Sequence, residues 1–187
     1  MLRIVVVLGV LVSASRASAG GGVFLPPLEV EIGAASISTR DGPSVLASQW
    51  MVGASWASGN PRSTPVDVSV GVISTSSNES HPGESIDATG GFLDVALRVY
   101  EGPHYRAWAG VRGELMGTGG VGVLGATGRT SVELWRGVDA AGRDAGVLGA
   151  FAITAWVEVG VRERPDRGLA RTGAVGLGVR LPMFVMR

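Results

Sequence analysis

Residues 146–164 read GVLGAFAITAWVEVGVRER, and the two faces of this stretch carry different chemistry. Phe151, Ile153, Ala155, Val157, Val159 and Val161 fall on one side of a two-residue period. Ala152, Thr154, Trp156, Glu158, Gly160 and Arg162 fall on the other, which is the pattern of a β-strand rather than a helix. The run is longer than the roughly 5–6 residues of an ordinary soluble strand. It suits a strand that crosses a bilayer, which needs about 9–11 residues, an apolar face toward lipid and a polar face toward a barrel interior.

The rest of the composition agrees with a chain of strands and turns. The 187 residues, with 30 Gly and 9 Pro, are a single-domain length poor in helix formers. All 16 basic residues are Arg and balance 16 acids, so net charge offers nothing for nucleic acid. Cysteine is absent, which excludes disulfides, thiolate metal sites and thiol nucleophiles. At the start, Met1-Leu2-Arg3, the apolar run Ile4 to Val12 and Ala17-Ser18-Ala19 have the three parts of a cleaved export signal. Residues 1–19 are therefore expected to be a signal peptide and residues 20–187 a β-barrel domain. No later stretch approaches the ~20 apolar residues of a membrane helix, so entry into lipid would require a closed barrel with no open sheet edge.

Eight strands are legible. The first sets Leu28, Val30, Ile32 and Ala34 against Glu29, Glu31, Gly33 and Ala35. The second sets Trp50, Val52, Ala54 and Trp56 against Gln49, Met51, Gly53 and Ser55. The third sets Val66, Val68, Val70 and Val72 against Asp67, Ser69, Gly71 and Ile73. From Ser74 to Gly90 the alternation lapses into a polar segment, expected to be the longest loop. The fourth strand, Gly91 to Tyr100, opposes Leu93, Val95, Leu97 and Val99 to Phe92, Asp94, Arg98 and Tyr100. A turn at Glu101-Gly102-Pro103-His104 leads to the fifth, Tyr105 to Leu115. The sixth runs from about Val123 to Trp135, and a turn from Val138 to Ala145 leads to the opening stretch as the seventh. The eighth runs from about Leu169 to Leu181. An even count closes antiparallel with both termini at one end, so the expected fold is an all-β, eight-stranded antiparallel up-and-down transmembrane β-barrel, with long loops outside and short turns on the side of the termini.

In signal sequence, strand count and face pattern over residues 28 to 185, the chain resembles the small eight-stranded outer-membrane β-barrel proteins of Gram-negative bacteria. The resemblance implies an outer-membrane location, outer-membrane lipid as the surroundings, assembly by the barrel-assembly machinery and a monomer. Members commonly end in a strand with a terminal aromatic residue. Here Phe184 is followed by Val185-Met186-Arg187 and Pro182 interrupts the last strand.

The polar faces collect Asp94, Arg98, Arg106, Arg112, Glu114, Glu133, Glu158, Arg162 and Arg180 on the lumen side. Buried charges persist only when paired, and an eight-stranded barrel is just wide enough for its side chains to fill. These groups are accordingly expected to plug a narrow, porin-like lumen, with a narrow ion path or small-ligand site as the competing reading. A three-residue loop at Gly102 would set Asp94 opposite Arg112, Arg98 opposite Trp108 and Tyr100 opposite Arg106, giving an ion pair and a cation–π contact. Trp108 and Trp156 are expected to fill the lumen. In the long loop, Asn78, Glu79, His81, Glu84 and Asp87 are the candidates for contact with a surface ligand.

Evidence for catalysis is thin. His81 beside Ser80 and Glu79, and His104 beside Glu101, are sequence neighbours, which does not make a converging triad. Gly119-Gly120-Val121-Gly122 lacks the Lys and spacing of a phosphate loop. No enzyme, metal or cofactor is therefore expected, and an outer-membrane hydrolase built on His81 or His104 is a third-ranked alternative. The main alternative is a secreted or periplasmic soluble β-barrel or sandwich binding an apolar ligand, which would turn the Val faces inward and the Glu and Arg faces to water.

Overall fold

The computed structural model describes residues 23–25, 28–39, 44–55, 66–77, 87–102, 105–135, 152–164, 168–181 and 184–186. The expected signal segment, Trp56, Asn78, Glu79, His81, Glu84, His104 and the turn from Val138 to Ala145 lie outside these residues. The elements in chain order are β1 (Val23–Leu25), β2 (Leu28–Thr39), β3 (Ser44–Ser55), β4 (Val66–Ser77), β5 (Ala88–Glu101), β6 (Tyr105–Thr118), β7 (Val121–Trp135), β8 (Ala152–Arg164), β9 (Gly168–Leu181) and β10 (Phe184–Met186).

Strands β2 to β9 pair antiparallel in sequence order, and β9 returns to pair with β2, closing an eight-stranded up-and-down barrel. The closing seam runs from Leu28 opposite Leu181 to Thr39 opposite Ala170. With strands of 12–15 residues, a rise of about 3.3 Å and a tilt near 40° give a wall roughly 30–38 Å tall, enough to span a hydrocarbon core of about 30 Å. β1 and β10 pair with each other beyond the barrel, in the same register as the seam. Pro26-Pro27 and Pro182 separate them from β2 and β9. Proline has no N–H to give a ladder, so the barrel ends where the prolines begin. Phe184 thus belongs to this short ribbon and not to the last barrel strand.

Every apolar face points outward. Leu97 is 55% exposed, Val159 66% and Leu177 59%, whereas Glu133 and Glu158, on the alternate face, are each 1% exposed. The soluble alternative requires the reverse arrangement, which these strands do not adopt. A contiguous exposed apolar surface of this extent is not a feature of water-facing monomers.

The structure corrects two expectations. Ser74 to Ser77 and Ala88 to Gly90 are strand, with Ser74 opposite Thr89 and Thr75 opposite Ala88. Hydroxyl side chains sustain the ladder there, through Ser74 Oγ to Thr89 Oγ1 at 2.8 Å. The connection shrinks to residues 78–87. The connections 56–65 and 136–151, on which the expected loop asymmetry turns, lie outside the described residues. Residues 40–43, 78–87, 119–120 and 165–167 join strands at the end opposite the termini, and 56–65, 102–104 and 136–151 at the terminal end. Finally, the hairpin register holds from Asp94 opposite Arg112 to Arg98 opposite Trp108, then shifts, so that Tyr100 faces Ala107 and Glu101 faces Arg106. The bulge turns both Val99 and Tyr100 outward, and Tyr100 stacks on Tyr105 with ring centroids 5.0 Å apart.

Candidate functional site

The lumen is built from alternate residues of all eight barrel strands and is layered along its axis. At the end opposite the termini it is lined mainly by apolar side chains, Ile37, Val45, Ala47, Ile73, Ala88, Met116, Val123 and Ala170, with Thr75 and Thr172 buried among them.

Below this end lies the first polar layer. Arg162 donates from Nε to Glu114 Oε2 at 2.8 Å, from Nη2 to Gln49 Oε1 at 3.0 Å and from Nη1 to Thr75 Oγ1 at 3.3 Å. Gln49 Nε2 donates in turn to Glu158 Oε1 at 2.7 Å. Arg112 bridges Glu158 Oε2 and Asp94 Oδ2, both at 2.8 Å. A single guanidinium thus holds carboxylates from β5 and β8, which are not neighbouring strands, and ties the barrel across its width. Arg129 hydrogen-bonds both carboxylate oxygens of Glu31, with its Nη1 at 2.8 Å from Oε2.

Toward the terminal end Arg180 pairs with Glu29 and Asp67, and Ser55 donates to Asp67. Glu133 Oε2 accepts from Trp108 Nε1 at 3.1 Å and lies 3.3 Å from Arg106 Nε. At the rim Arg98 pairs with Glu101 at 2.7 Å. Among the described residues this network contains the buried Glu31, Asp67, Asp94, Glu114, Glu133, Glu158, Arg106, Arg112 and Arg162 and the half-buried Glu29, Arg129 and Arg180.

Two aromatic rings floor this network, each laid across a pair of glycines. A Cβ on Gly33 or Gly176 would meet Trp156 at 2.7 and 2.4 Å, and one on Gly53 or Gly71 would meet Phe92 at 2.8 Å in both cases. Arg129 lies over the Trp156 ring at 5.1 Å and Arg112 over Phe92 at 4.8 Å. Each stack runs from guanidinium to aromatic ring to glycine pair. The missing side chains give the ring room to lie flat against the wall, where it presents its face to the cation.

All nine residues expected in the lumen cluster are inward-facing, and Asp94 pairs with Arg112 as expected. Arg98 lies opposite Trp108 as expected and pairs with Glu101, and Arg180 lies over the Trp108 ring at 5.9 Å. Tyr100 faces Ala107 rather than Arg106, and Arg106 pairs with Glu133. Sequence reasoning placed Glu29, Glu31, Asp67 and Gln49 on polar faces but left them out of the cluster, and left out Arg129 with them. The signal that recovers them is parity, since each alternates with the outward Val, Leu or Ile positions of its own strand. Among the expected loop contacts only Asp87 is described; its Oδ1 accepts from Ser76 Oγ at 2.9 Å and Ser77 N at 3.2 Å, closing the top of the β4–β5 hairpin.

Apolar side chains outside and charged pairs inside define a class, the small closed β-barrel with ion pairs facing its lumen. No protein-family model and no curated protein matches the chain. Among solved structures it is similar to Neisserial surface protein A, with a TM-score of 0.59 and 13% sequence identity over 86% of this chain and 98% of that one. At that identity the likeness is one of fold, and it bears out the architectural resemblance to small eight-stranded outer-membrane barrels.

Proposed function

We propose that this chain is an outer-membrane β-barrel with a structural or surface-interaction role, whose lumen is plugged by its own ion pairs and which performs no catalysis. The observation that carries this reading is the inversion of the usual protein interior, with Leu, Val and Ile outward around the whole barrel and the carboxylates and guanidiniums inside. Only a surrounding apolar phase makes that arrangement favourable. The fold likeness to a Neisserial surface protein supports the same setting. The plug reading is supported by the space left in the lumen, a cavity of about 30 Å³ near the terminal end, which is room for about two waters. Residues 1–19 serve as the export signal in this reading, the barrel-assembly machinery inserts a monomer, and residues 78–87 are available to a surface partner.

Cell fractionation tests the proposal. The mature protein should sediment with the outer membrane, and its detergent extract should migrate differently on a gel before and after boiling. Recovery in the soluble fraction without detergent would refute it. Reconstitution into a planar bilayer separates a plug from an ion path, with the plug predicting no steady open-channel current.

A further inference from the structure

We infer that the outer wall of β2 to β5, at the end opposite the termini, is a contact surface for the headgroup of a phosphorylated glycolipid of the surrounding membrane. The inference rests on the outer-membrane reading above. Starting from the terminal end, the outward positions of these strands are apolar up to Ile32 on β2, Val52 on β3, Val72 on β4 and Leu93 on β5. Nearer the far end they turn to hydroxyls, with Ser36 and Ser38 on β2, Ser44 and Ser48 on either side of Leu46 on β3, and Ser74 and Ser76 on β4. Parity keeps all six on the lipid-facing side, so the band continues the wall that meets the acyl chains. It is one-sided, because the corresponding outward positions of β6 and β7 are Leu115, Gly117, Gly122 and Leu124.

The register makes the band contiguous. Arg171 lies opposite Ser38, which lies opposite Ser44. Ser48 lies opposite Ser76, and Trp50 opposite Ser74, which is itself opposite Thr89. Ser38 Oγ and Ser44 Oγ are hydrogen-bonded at 3.0 Å, and Ser48 Oγ donates to the Ser76 carbonyl at 3.2 Å. A hydroxyl has one proton and two lone pairs, so these bonds leave acceptors for a partner. Exposed hydroxyls are costly in hydrocarbon and need hydrogen-bonding surroundings, so the band lies where acyl chains give way to headgroups. Trp50, 43% exposed, stands at that boundary, the level an indole prefers with one end apolar and the other wet. Its apolar ring face among hydroxyls suits the C–H face of a sugar ring. At the edge of the band the exposed Arg171 supplies a cation for a phosphate. Glu163, on the outer face of β8, lies opposite Leu169, one outward position nearer the hairpin, which places the phosphate on the Ser38 side of Arg171. Phosphate, sugar and acyl chains joined in one molecule use all three features, whereas a phospholipid without sugar leaves Trp50 and the hydroxyls unused.

The test is native mass spectrometry of the mature protein released from a sugar-free detergent after equilibration with lipid A, with dephosphorylated lipid A or with phosphatidylglycerol. Lipid A should reach half-saturation at the lowest concentration of the three. Arg171→Gln should raise that concentration roughly fivefold, to the value of the dephosphorylated form. Trp50→Leu should raise it roughly fivefold for both glycolipids and leave phosphatidylglycerol unchanged. Thr130→Ala, exposed on the outer face of β7 away from the band, should alter none of the three. All of these positions face outward, so the lumen network is untouched and the boiling-dependent gel shift reports that each variant is folded. If a variant does not fold, the comparison of lipids on the wild-type chain decides alone. Equal half-saturation for lipid A and either comparison lipid, an unchanged value in either band variant, or an equal loss in Thr130→Ala would each overturn the inference. The membrane reading fails separately, by recovery of the protein in the soluble fraction, and sedimentation with the outer membrane alongside equal lipid affinities would remove this inference alone.

Discussion

Arg112 shows how single residues hold this barrel. Its two 2.8 Å bonds reach Asp94 on the neighbouring β5 and Glu158 on β8, and its ring partner Phe92 lies flat on Gly53 and Gly71. Replacing it by Met leaves two buried carboxylates without that partner, so Arg112→Met should lower the unfolding free energy by about 3–5 kcal/mol in a urea titration of the detergent-solubilised protein. The glycine floors make a sharper prediction. Gly176→Ala places a Cβ 2.3 Å from the Ile32 carbonyl and 2.4 Å from Trp156, and should cost about 1–3 kcal/mol. Gly113→Ala, on the outer face with nothing within 4 Å, should be neutral or slightly stabilising in the same titration. Parity sorted each strand's residues onto two faces, and the membrane reading, not parity, chose which of them faces the lumen. Which carboxylate each Arg meets was not legible, because Arg112 to Glu158 and Arg129 to Glu31 cross the barrel between strands that no local pattern relates. The glycine floors were likewise invisible, since a glycine in a strand reads only as a weak position until the ring lying on it is known.

At the scale of the strands, turn chemistry and bulges set the details. β6 and β7 are joined by Gly119 and Gly120 alone, at φ of 53° and 86°. Two successive positive φ values make a type I′ hairpin turn, which Asn tolerates and β-branched residues do not. Gly119→Asn should therefore change stability by less than about 0.5 kcal/mol, and Gly119→Val should cost about 1–2 kcal/mol. Strand number, direction and the two faces were all legible from the two-residue period. Strand ends were not, because Ser, Thr and Gly at 36–39, 74–77 and 88–90 read as loop residues while serving equally well at the rim of a barrel, where the closed ladder satisfies their backbone. The shift after Arg98 was also hidden, since Val99 alternates correctly and only the outward pairing of Tyr100 with Tyr105 shows that one extra residue has been taken up.

For the molecule as a whole, the two ends differ. The end opposite the termini is lined mainly by apolar side chains, whereas the terminal end holds the acid-rich cavity and the β1–β10 ribbon. The apolar outer surface was predictable from the opening stretch, but this polarity between the ends was not, because it depends on axial level, which only the paired register fixes. The central claim is that the outer face meets lipid, and the absence of Cys allows a clean measurement of it. Single cysteines introduced as Val159→Cys on the outer face and Asp87→Cys at the exposed end of the β4–β5 hairpin would carry a small environment-sensitive fluorophore in liposome-reconstituted protein, with nitroxide-bearing lipid chains as the quencher. The label at 159 should be quenched strongly by the lipid and protected from aqueous iodide, while the label at 87 should be quenched by iodide and not by the lipid. Aqueous quenching at 159 with no response to the nitroxide chains would contradict the account.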